Sequence, residues 1–186
     1  MKKLTTAVLD QGKTTDILLA DDLKDLANHL GGYGRAVMWV FDTNTAKLFK
    51  QLPPAHVVLE SGESSKHLSS LERILSTCLD EGLARDGRII GFGGGVVCDL
   101  SAFAASVYMR GCRLTLVPTT LLAMVDAAVG GKTAVDFRGM KNMVGSFYPA
   151  GEVLICIDTL RTLSDKEFLN GLAEVNKHAL LSQDEE

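Results

Sequence analysis

The sequence predicts an α/β fold, with a mostly parallel Rossmann-like sheet and flanking helices. Short apolar runs alternate along the chain with longer amphipathic segments, which is the pattern of βα units stacked into one sheet. A glycine-rich turn also joins one apolar run to an apolar helical segment, as in dinucleotide-binding folds. Six runs are predicted strands, at residues 16–20, 36–41, 56–59, 88–92, 113–117 and 153–157.

Two amphipathic segments are predicted to be surface helices on this sheet. Asp21 or Asp22 can cap the first helix, which closes at the glycine pair 31–32. In the second helix, leucines repeat at helical spacing over residues 68–79 until Gly82.

Two further helices have different surroundings. The segment VVCDLSAFAASVYM is nearly all apolar, so we expect a central helix that is buried on most sides. The last helix opens with Ser164 and Glu167, which fit a capping box, and extends to about Leu181. Because the polar ending SQDEE follows abruptly, we expect an α/β domain at 1–157 and, at 158–186, the first segment of an α-helical domain that is largely missing.

Charge and composition limit the kinds of partner and the cellular compartment that we expect for this chain. A net charge of −4 and a pI near 5.6 give no broad positive field for a polyanion, so nucleic acid is not expected and any phosphate must be held locally. No stretch of about 18 apolar residues occurs, and none follows the basic start, so neither a membrane span nor an export signal is predicted. The four cysteines have no close spacing, which indicates reduced structural thiols and the cytoplasm.

The glycine-rich turn GFGGGVVCDL, residues 91–100, is the first candidate site. Glycines between a strand and a helix let backbone amides approach a diphosphate, and the positive helix end favours the anion. Val96 stands where the last glycine of G-x-G-x-x-G belongs, so a tight turn without a ligand is the alternative. At the end of an earlier strand, Asp42 and Asn44 are placed to bind ribose or adenine, although Asp42 could simply cap a helix.

The second candidate site is the run 117–149, where polar groups are dense in apolar surroundings. Thr119 and Thr120 end a strand, Asp126 follows, and residues 130–133 (GGKT) are expected to form a flexible basic loop before Lys141. A P-loop is excluded because it requires a glycine at the position of Asp126. The lysines could also be solvated loop charges.

The third candidate site is GLAEVNKHALL, residues 171–181. Glu174, Lys177 and His178 share one helix face and can converge on one site, although a surface salt-bridge triad has the same spacing. A Glu/His pair could bind a metal, but two ligands do not make a zinc site.

Together these segments resemble signature blocks of the 3-dehydroquinate synthase family, in the same order over roughly residues 35–181. The blocks are GGGVVCDLSAFAASVYMRG, VPTTLLAMVDAAVGGKTAVDFRGMKNMVGSFYPAGEVLI, DTLRTL and GLAEVNKHALL. Upstream of them, SGESSK at residues 61–66 resembles the G-E-x-x-K block of the same family. The resemblance implies a shikimate-pathway enzyme that converts a small phosphorylated sugar acid, 3-deoxy-arabino-heptulosonate 7-phosphate, to 3-dehydroquinate. It implies NAD used transiently, zinc or cobalt, and a homodimer, although no stripe in the sequence indicates which face would pair.

The resemblance also assigns residues by matching position. Residues implied to contact NAD are Asp42, Asn44, Glu63, Lys66, Gly94, Gly95, Val96, Asp99, Thr119, Thr120, Lys132, Lys141, Thr159, Leu160 and Thr162. Those implied to face the substrate or the nicotinamide end are Arg110, Asp126, Lys132, Lys141, Asn142 and Lys177. Glu174 is implied to be a zinc ligand.

The sequence departs from the family pattern at Cys98, at the pair 127–128 and at Asn176, but none of these changes removes a charged group. Two histidine zinc ligands of the family's carboxyl-terminal domain are not found; His29, His56 and His67 fall in the wrong segments. We therefore expect an isolated fragment that does not turn over.

Three alternatives to this interpretation stay open. A related sugar-phosphate cyclase such as 2-deoxy-scyllo-inosose synthase would share the NAD turn, and a non-catalytic NAD-binding module would share only cofactor binding. A polyol dehydrogenase is disfavoured by Lys132, Lys141 and Asn142, because a neutral polyol needs no anion clamp.

Overall fold

A computed structural model describes residues 1–8, 12–34 and 36–181, and its centre is a seven-stranded sheet. The strands of this sheet are β1 (Lys2–Val8), β2 (Thr14–Ala20), β3 (Val37–Asp42), β4 (His56–Leu59), β5 (Arg88–Gly93), β6 (Arg113–Pro118) and β9 (Glu152–Cys156). Their order is β1-β2-β9-β6-β5-β3-β4. Only β1 and β2 pair antiparallel; the other five neighbouring pairs are parallel. All six predicted strands are present, and none of their ends differs from the prediction by more than two residues.

Three helices flank the sheet and a fourth packs on the segment that follows β6; all four were predicted. They are α1 (Leu23–Gly31), α2 (Leu68–Asp80), α3 (Gly95–Val107) and α4 (Asp165–Leu181). Asp22 is the cap of α1, because its Oδ1 accepts the Asp25 N–H at 2.7 Å. Ser164 Oγ accepts the Glu167 N–H at 3.3 Å at the start of α4. The predicted polar ending, residues 182–186, lies outside the described residues.

Helices on the two faces of the sheet bury two separate cores. On one face, α2 and α3 pack on β-strand side chains such as Val40 and Ile89, both with no exposed surface. On the other face, Leu26 and Leu30 of α1 pack with Phe41, which is also fully buried. Helix α3 is buried on most sides, as its apolar sequence predicts, so it fixes the glycine-rich turn rigidly against the sheet.

The prediction of a flexible basic loop at residues 130–133 is wrong in its second half. Lys132 and Thr133 begin β7 (Lys132–Phe137), which pairs antiparallel with β8 (Met140–Phe147) in a separate hairpin. Thr133 Oγ1 donates to the Ser146 carbonyl at 2.8 Å, and Val135 is fully buried. Alternate residues of β7 are buried, and this burial makes the segment a strand. The predicted turn is confined to the two glycines that precede it.

The parallel strands β3, β5, β6 and β9 end at one edge of the sheet, and the segments that follow them meet there. These segments are the turn after Asp42, the glycine-rich turn, the Thr119–Thr120 pair and a 3₁₀ turn, Ile157–Thr162. Within the described ranges, no helix has both the length and the apolar character needed to cross a membrane.

Candidate functional site

The start of α3 is the best anion-binding feature at this edge. The caps of α1, α2 and α4 use the side chains of Asp22, His67 and Ser164, whereas the cap of α3 is Gly94, which has none. The first turn of α3 also contains no acidic residue. Its first backbone N–H groups therefore have no intrahelical partner and point out of the helix, where they can donate to an anion.

The glycines of this turn have two different roles. A Cβ on Gly93 would lie 2.6 Å from the Val97 side chain, so a hydrogen is required there for α3 to approach β5. A Cβ on Gly95 would meet only Ala127 Cβ, at 3.5 Å. Space over Gly95 is consequently open, and a diphosphate could reach the N–H groups.

One cavity of about 480 Å³, the Asp42 cavity, lies on one side of this turn. Its lining residues are Asp42, Asn44, Thr45, Lys47, Leu48, Gly94, Thr119, Thr120, Thr162, Leu163, Ser164 and Glu167. Six of these were assigned to NAD from the sequence. Lys47, in the 3₁₀ turn Thr45–Leu48, was not, and neither were Ser164 and Glu167, whose approach depends on how α4 packs.

Asp42 has the capping role that its sequence position suggested, and one of its oxygens stays available for the predicted binding role. Its Oδ1 accepts the backbone N–H groups of Asn44 at 2.9 Å and of Thr45 at 2.8 Å, so it caps the following 3₁₀ turn. The hydrogen bonds described for this carboxylate use Oδ1 alone. Oδ2 is therefore able to accept from a hydroxyl group of a ligand.

A second cavity of about 450 Å³, the Asp126 cavity, lies between Asp99 in the second turn of α3 and the hairpin. Its lining residues are Asp99, Asp126, Ala127, Val129, Lys132, Thr133, Ala134, Asn142, Met143, Gly145, Ser146 and Phe147. This cavity brings together four predicted site residues: Asp99, Asp126, Lys132 and Asn142. It offers a cation and an amide beside two carboxylates, which suits a ligand with both anionic and hydroxyl groups.

Lys66 joins three segments at the wall of the Asp126 cavity. Its Nζ lies 2.5 Å from Asp99 Oδ2 and donates to Asn142 Oδ1 at 2.6 Å. Burial raises the pKa of Asp99, and the Lys66 ammonium opposes that shift. Asn142 has a positive φ of 56°, and its N–H donates to Asp136 Oδ1 at 2.9 Å. The network thus fixes the side of the hairpin that carries Asn142.

Several predicted site residues do not line either cavity. Glu63 and Lys141 form an exposed ion pair at 3.2 Å. Thr159 Oγ1 is occupied within its own turn, where it donates to the Cys156 carbonyl at 2.7 Å, and Leu160 lies in the same turn. Arg110 follows the carboxyl end of α3, about 20 Å along the helix from the glycine-rich turn. The structure does not bring Arg110 together with the other site residues.

A π-helical turn, Ala123–Ala127, carries Asp126 to the face of α4. The two segments approach closely because Gly171 is buried there, where a Cβ would lie 2.6 Å from Leu121 Cβ. One ligand atom from each of Asp126, Glu174 and His178 lies within 4.8 Å of the other two. Two carboxylates and an imidazole are donors that zinc and cobalt accept, so the residues fit a divalent metal.

Within α4, the predicted face of Glu174, Lys177 and His178 is present. Lys177 Nζ donates to Glu174 Oε1, and His178 Nε2 lies 3.2 Å from the same oxygen. The hydrogen bond from Lys177 lowers the pKa of Glu174 and raises that of Lys177. Two alternatives were predicted for this face, a surface salt-bridge triad and a metal-binding Glu/His pair. Both are compatible with the structure, because the triad is formed and the Glu174 carboxylate also faces Asp126.

Comparison with known proteins gives consistent results. Residues 56–170 match the family model described as 3-dehydroquinate synthase N-terminal. The 3-dehydroquinate synthase of Pyrococcus furiosus is 44% identical over 170 residues, which cover 87% of this chain and 50% of that protein. The chain spans about half the length, or less, of the curated relatives that it matches.

Solved structures share the fold. A 2-epi-5-epi-valiolone synthase from Streptomyces hygroscopicus, solved with NAD+ and Zn2+, is 28% identical with a TM-score of 0.79, covering 92% of this chain and 50% of that one. A 2-deoxy-scyllo-inosose synthase, solved with carbaglucose-6-phosphate, NAD+ and Co2+, is 24% identical with a TM-score of 0.79, covering 93% and 51%. Since the family model covers more than half of the sequence, this chain belongs to the 3-dehydroquinate synthase family and matches its amino-terminal part.

Proposed function

We propose that this chain is the NAD-binding part of a 3-dehydroquinate synthase, which converts 3-deoxy-arabino-heptulosonate 7-phosphate to 3-dehydroquinate and phosphate. The observation that carries the proposal is the uncapped start of α3, because Gly94 at this start lines the Asp42 cavity and Asp99 in the second turn lines the Asp126 cavity. A dinucleotide has an anionic diphosphate in its centre and a polar nucleoside on each side. The helix start corresponds to the diphosphate, and the two cavities correspond to the two nucleosides. Curated 3-dehydroquinate synthases at 40–52% identity support the choice of reaction.

In the proposed complex, the diphosphate accepts hydrogen bonds from N–H groups around residues 94–97. The adenosine ribose lies in the Asp42 cavity, where Asp42 Oδ2 accepts from a ribose hydroxyl. The nicotinamide end lies in the Asp126 cavity. When bound, NAD would remove a hydride from the substrate and return it later in the same turnover. The residues of this chain would therefore bind and orient the cofactor and the substrate relative to each other.

The substrate is proposed to bind beside the nicotinamide end of the Asp126 cavity. Lys132 and Asn142 line this cavity and are the groups that would contact a carboxylate or phosphate. The buried Lys66 contact fixes the orientation of the Asn142 amide. Glu174 would hold a zinc or cobalt ion, whose chemistry is to bind and polarise substrate hydroxyls.

The proposal divides the chain at residue 157. Strand β9 ends at Cys156, and α4 then packs on the π-helical turn of residues 123–127. We assign 1–157 to the NAD-binding domain and 158–186 to the domain that completes the metal and substrate site. The four cysteines are buried free thiols, which supports a cytoplasmic enzyme.

Calorimetric titration of the 186-residue chain with NAD tests this proposal, using Gly95→Asp as the diagnostic variant. An aspartate in the first turn of α3 favours the helix dipole, and its Cβ meets only Ala127, so the fold is retained. The added charge lies where the diphosphate would bind. We expect the affinity for NAD to fall at least about tenfold, a loss of about 1.4 kcal/mol.

Gly31→Asp is the matched control, because nothing lies within 4 Å of a Cβ at Gly31 and the residue is on α1. This control should bind NAD like the parent chain. Equal NAD affinity of the parent and Gly95→Asp chains would exclude the proposed diphosphate position, and no NAD binding by the parent would refute the cofactor assignment.

A further inference from the structure

We infer that a cavity at the opposite edge of the sheet, where the parallel strands begin, binds a small organic anion through Arg113 and Lys13. This cavity of about 340 Å³ is called the Arg113 cavity. Its lining residues are Asp16, Arg88, Arg113, Leu114, Tyr148, Pro149, Gly151 and Glu152. Six residues along β6 separate Arg113 from Thr119, a distance of about 20 Å, so a ligand here would lie apart from the Asp42 cavity.

Two arginines begin neighbouring strands in this cavity. Arg88 of β5 and Arg113 of β6 are Cα partners in the parallel ladder, so their side chains leave the sheet on the same face. Thr115, two residues further along β6, and its partner Glu152 on β9 share that face. Two guanidinium groups at neighbouring positions repel each other unless anions compensate their charges.

One of the two arginines, Arg88, already has its partners. Its Nη1 lies 3.6 Å from Glu152 Oε2 and donates to Thr115 Oγ1. Its guanidinium group lies over the Tyr33 ring, 4.2 Å from the centroid. Arg113 is exposed, and within the described ranges no ion pair includes it. The charge of Arg113 is therefore the one that a ligand can compensate.

A second cation, Lys13, lies at the rim of the Arg113 cavity. Its Nζ is 5.4 Å from the centroid of the Tyr148 ring, and this cation–π contact holds the ammonium group beside the cavity. The ring itself is fixed, because its hydroxyl group donates to the Cys112 carbonyl at 2.7 Å. The nearby carboxylate of Asp16 is paired with Lys3 at 2.8 Å, so Lys13 is not its counter-ion.

These groups define the class of ligand. A guanidinium group binds a carboxylate or a phosphate through two parallel hydrogen bonds, and an ammonium group adds a further donor. The side chains of Tyr148 and Pro149 form an apolar wall, on which the body of a small organic anion can pack. The volume of about 340 Å³ lies within the usual range for small-molecule sites, about 300–1,000 Å³.

Benzoate is a suitable probe, because it combines a carboxylate with an apolar ring, and benzamide is its uncharged counterpart. The titration is followed by proton–nitrogen correlation spectra, in which the side-chain Nε signal of Arg113 is the one that Arg113→Gln lacks. We expect saturable shifts of this signal and of the Gly151 and Glu152 amides with benzoate, and none with benzamide. Phenyl phosphate should bind more tightly than inorganic phosphate, since only phenyl phosphate contacts the apolar wall.

Arg113→Gln and Lys13→Gln should each weaken benzoate binding at least about tenfold, because each removes a charge-assisted hydrogen bond. Both side chains are exposed, so the chain should stay folded, and the same spectra show whether it does. Arg73→Gln is the matched control. Arg73 is exposed on α2, on the opposite face of the sheet, and its replacement changes the net charge by the same amount.

Several results would overturn the inference. Shifts that do not saturate, that persist in Arg113→Gln or that benzamide also causes would show that no specific anion site is present. Equal binding of phenyl phosphate and inorganic phosphate would exclude an organic ligand. Shifts confined to residues 93–97 would place the anion at the start of α3 instead. Shifts of the Arg113 cavity signals with chain concentration alone would show that a second copy covers this face.

The inference is independent of the proposed function. Binding of NAD is measured separately by calorimetric titration, and Arg113→Gln should bind NAD like the parent chain. Loss of benzoate binding without loss of NAD binding in this variant would support the Arg113 cavity as a separate site. Loss of both would contradict it.

Discussion

Lys66 and Asp99 form a largely buried ion pair, with 2.5 Å between Nζ and Oδ2 and with side chains only 7% and 15% exposed. The pair joins the segment before α2 to the second turn of α3. Because Lys66 also donates to Asn142, a single ammonium group links the helix that starts at the glycine-rich turn to the hairpin that lines the Asp126 cavity. The positions of the two walls of the Asp126 cavity, α3 and the hairpin, therefore depend on Lys66.

Replacing Lys66 by methionine should destabilise the chain strongly. The change leaves Asp99 buried without its cation, and breaking one side of a buried pair costs about 3 kcal/mol or more. The double variant Lys66→Met/Asp99→Asn removes both charges and should recover most of this loss. Urea denaturation of the three chains measures the free energy of unfolding.

Lys141→Met is the control for this pair, since the Glu63–Lys141 pair is exposed and should contribute less than about 1 kcal/mol. If the double variant were no more stable than Lys66→Met, the unpaired Asp99 charge would not be the cause of the loss.

The glycines of the turn should respond differently to alanine. Gly93→Ala places a Cβ 2.6 Å from Val97, so α3 must move and we expect a loss of about 1–3 kcal/mol. Gly95→Ala should be neutral or stabilising by about 0.5 kcal/mol, because the Cβ has room and alanine favours a helix. Thermal unfolding of both variants tests the assignment, and equal effects would contradict it.

Most of the fold could be predicted because parallel strands covered on both faces have apolar sequences, and because helix ends have local signals such as Asp22 and Ser164. Strand β1 was missed because it is an edge strand with mostly exposed side chains and therefore has no apolar alternation. The hairpin β7–β8 was missed because the glycines before Lys132 indicated a loop.

The parts of the candidate site that could be predicted are those formed by residues close together in the sequence. Asp42 and the glycine-rich turn follow directly from strand ends, and the structure places both at the same sheet edge. The meeting of Asp126 with His178 was not predictable, because it depends on a π-helical turn and on the contact at Gly171. Neither has a recognisable sequence signal. Glu167, at the start of α4, reaches the Asp42 cavity through the packing of that helix, which is also non-local, whereas Lys47 lies in the 3₁₀ turn that follows β3.

The buried thiols should make the stability of the chain fall in alkali. Burial raises the pKa of Cys78 to about 12 and that of Cys112 to about 11, from an ordinary value of 9.0. The folded chain thus holds these protons more tightly than the unfolded chain, so their contribution is complete below pH 9.0 and is lost as the pH rises towards 11 and 12. Urea denaturation across this range measures the fall.

The same burial predicts that all four cysteines react slowly with a thiol reagent at mildly alkaline pH, and rapidly once urea unfolds the chain. Rapid reaction of Cys78 or Cys112 in the native chain would contradict both the burial and the expected fall in stability.

The two oxygens of Asp42 allow its structural and binding roles to be separated. Asp42→Ala removes the cap of the 3₁₀ turn, so we expect a loss of stability of about 1 kcal/mol together with weaker NAD binding. Asp42→Asn keeps an oxygen that can accept from the Asn44 and Thr45 N–H groups, so the chain should stay nearly as stable. It removes the negative charge that would repel a 2′-phosphate, and the preference for NAD over NADP should therefore decrease by tenfold or more, about 1.4 kcal/mol. Calorimetric titration of both dinucleotides against the three chains measures this ratio; an unchanged ratio in Asp42→Asn would mean that the adenosine ribose does not bind at Asp42.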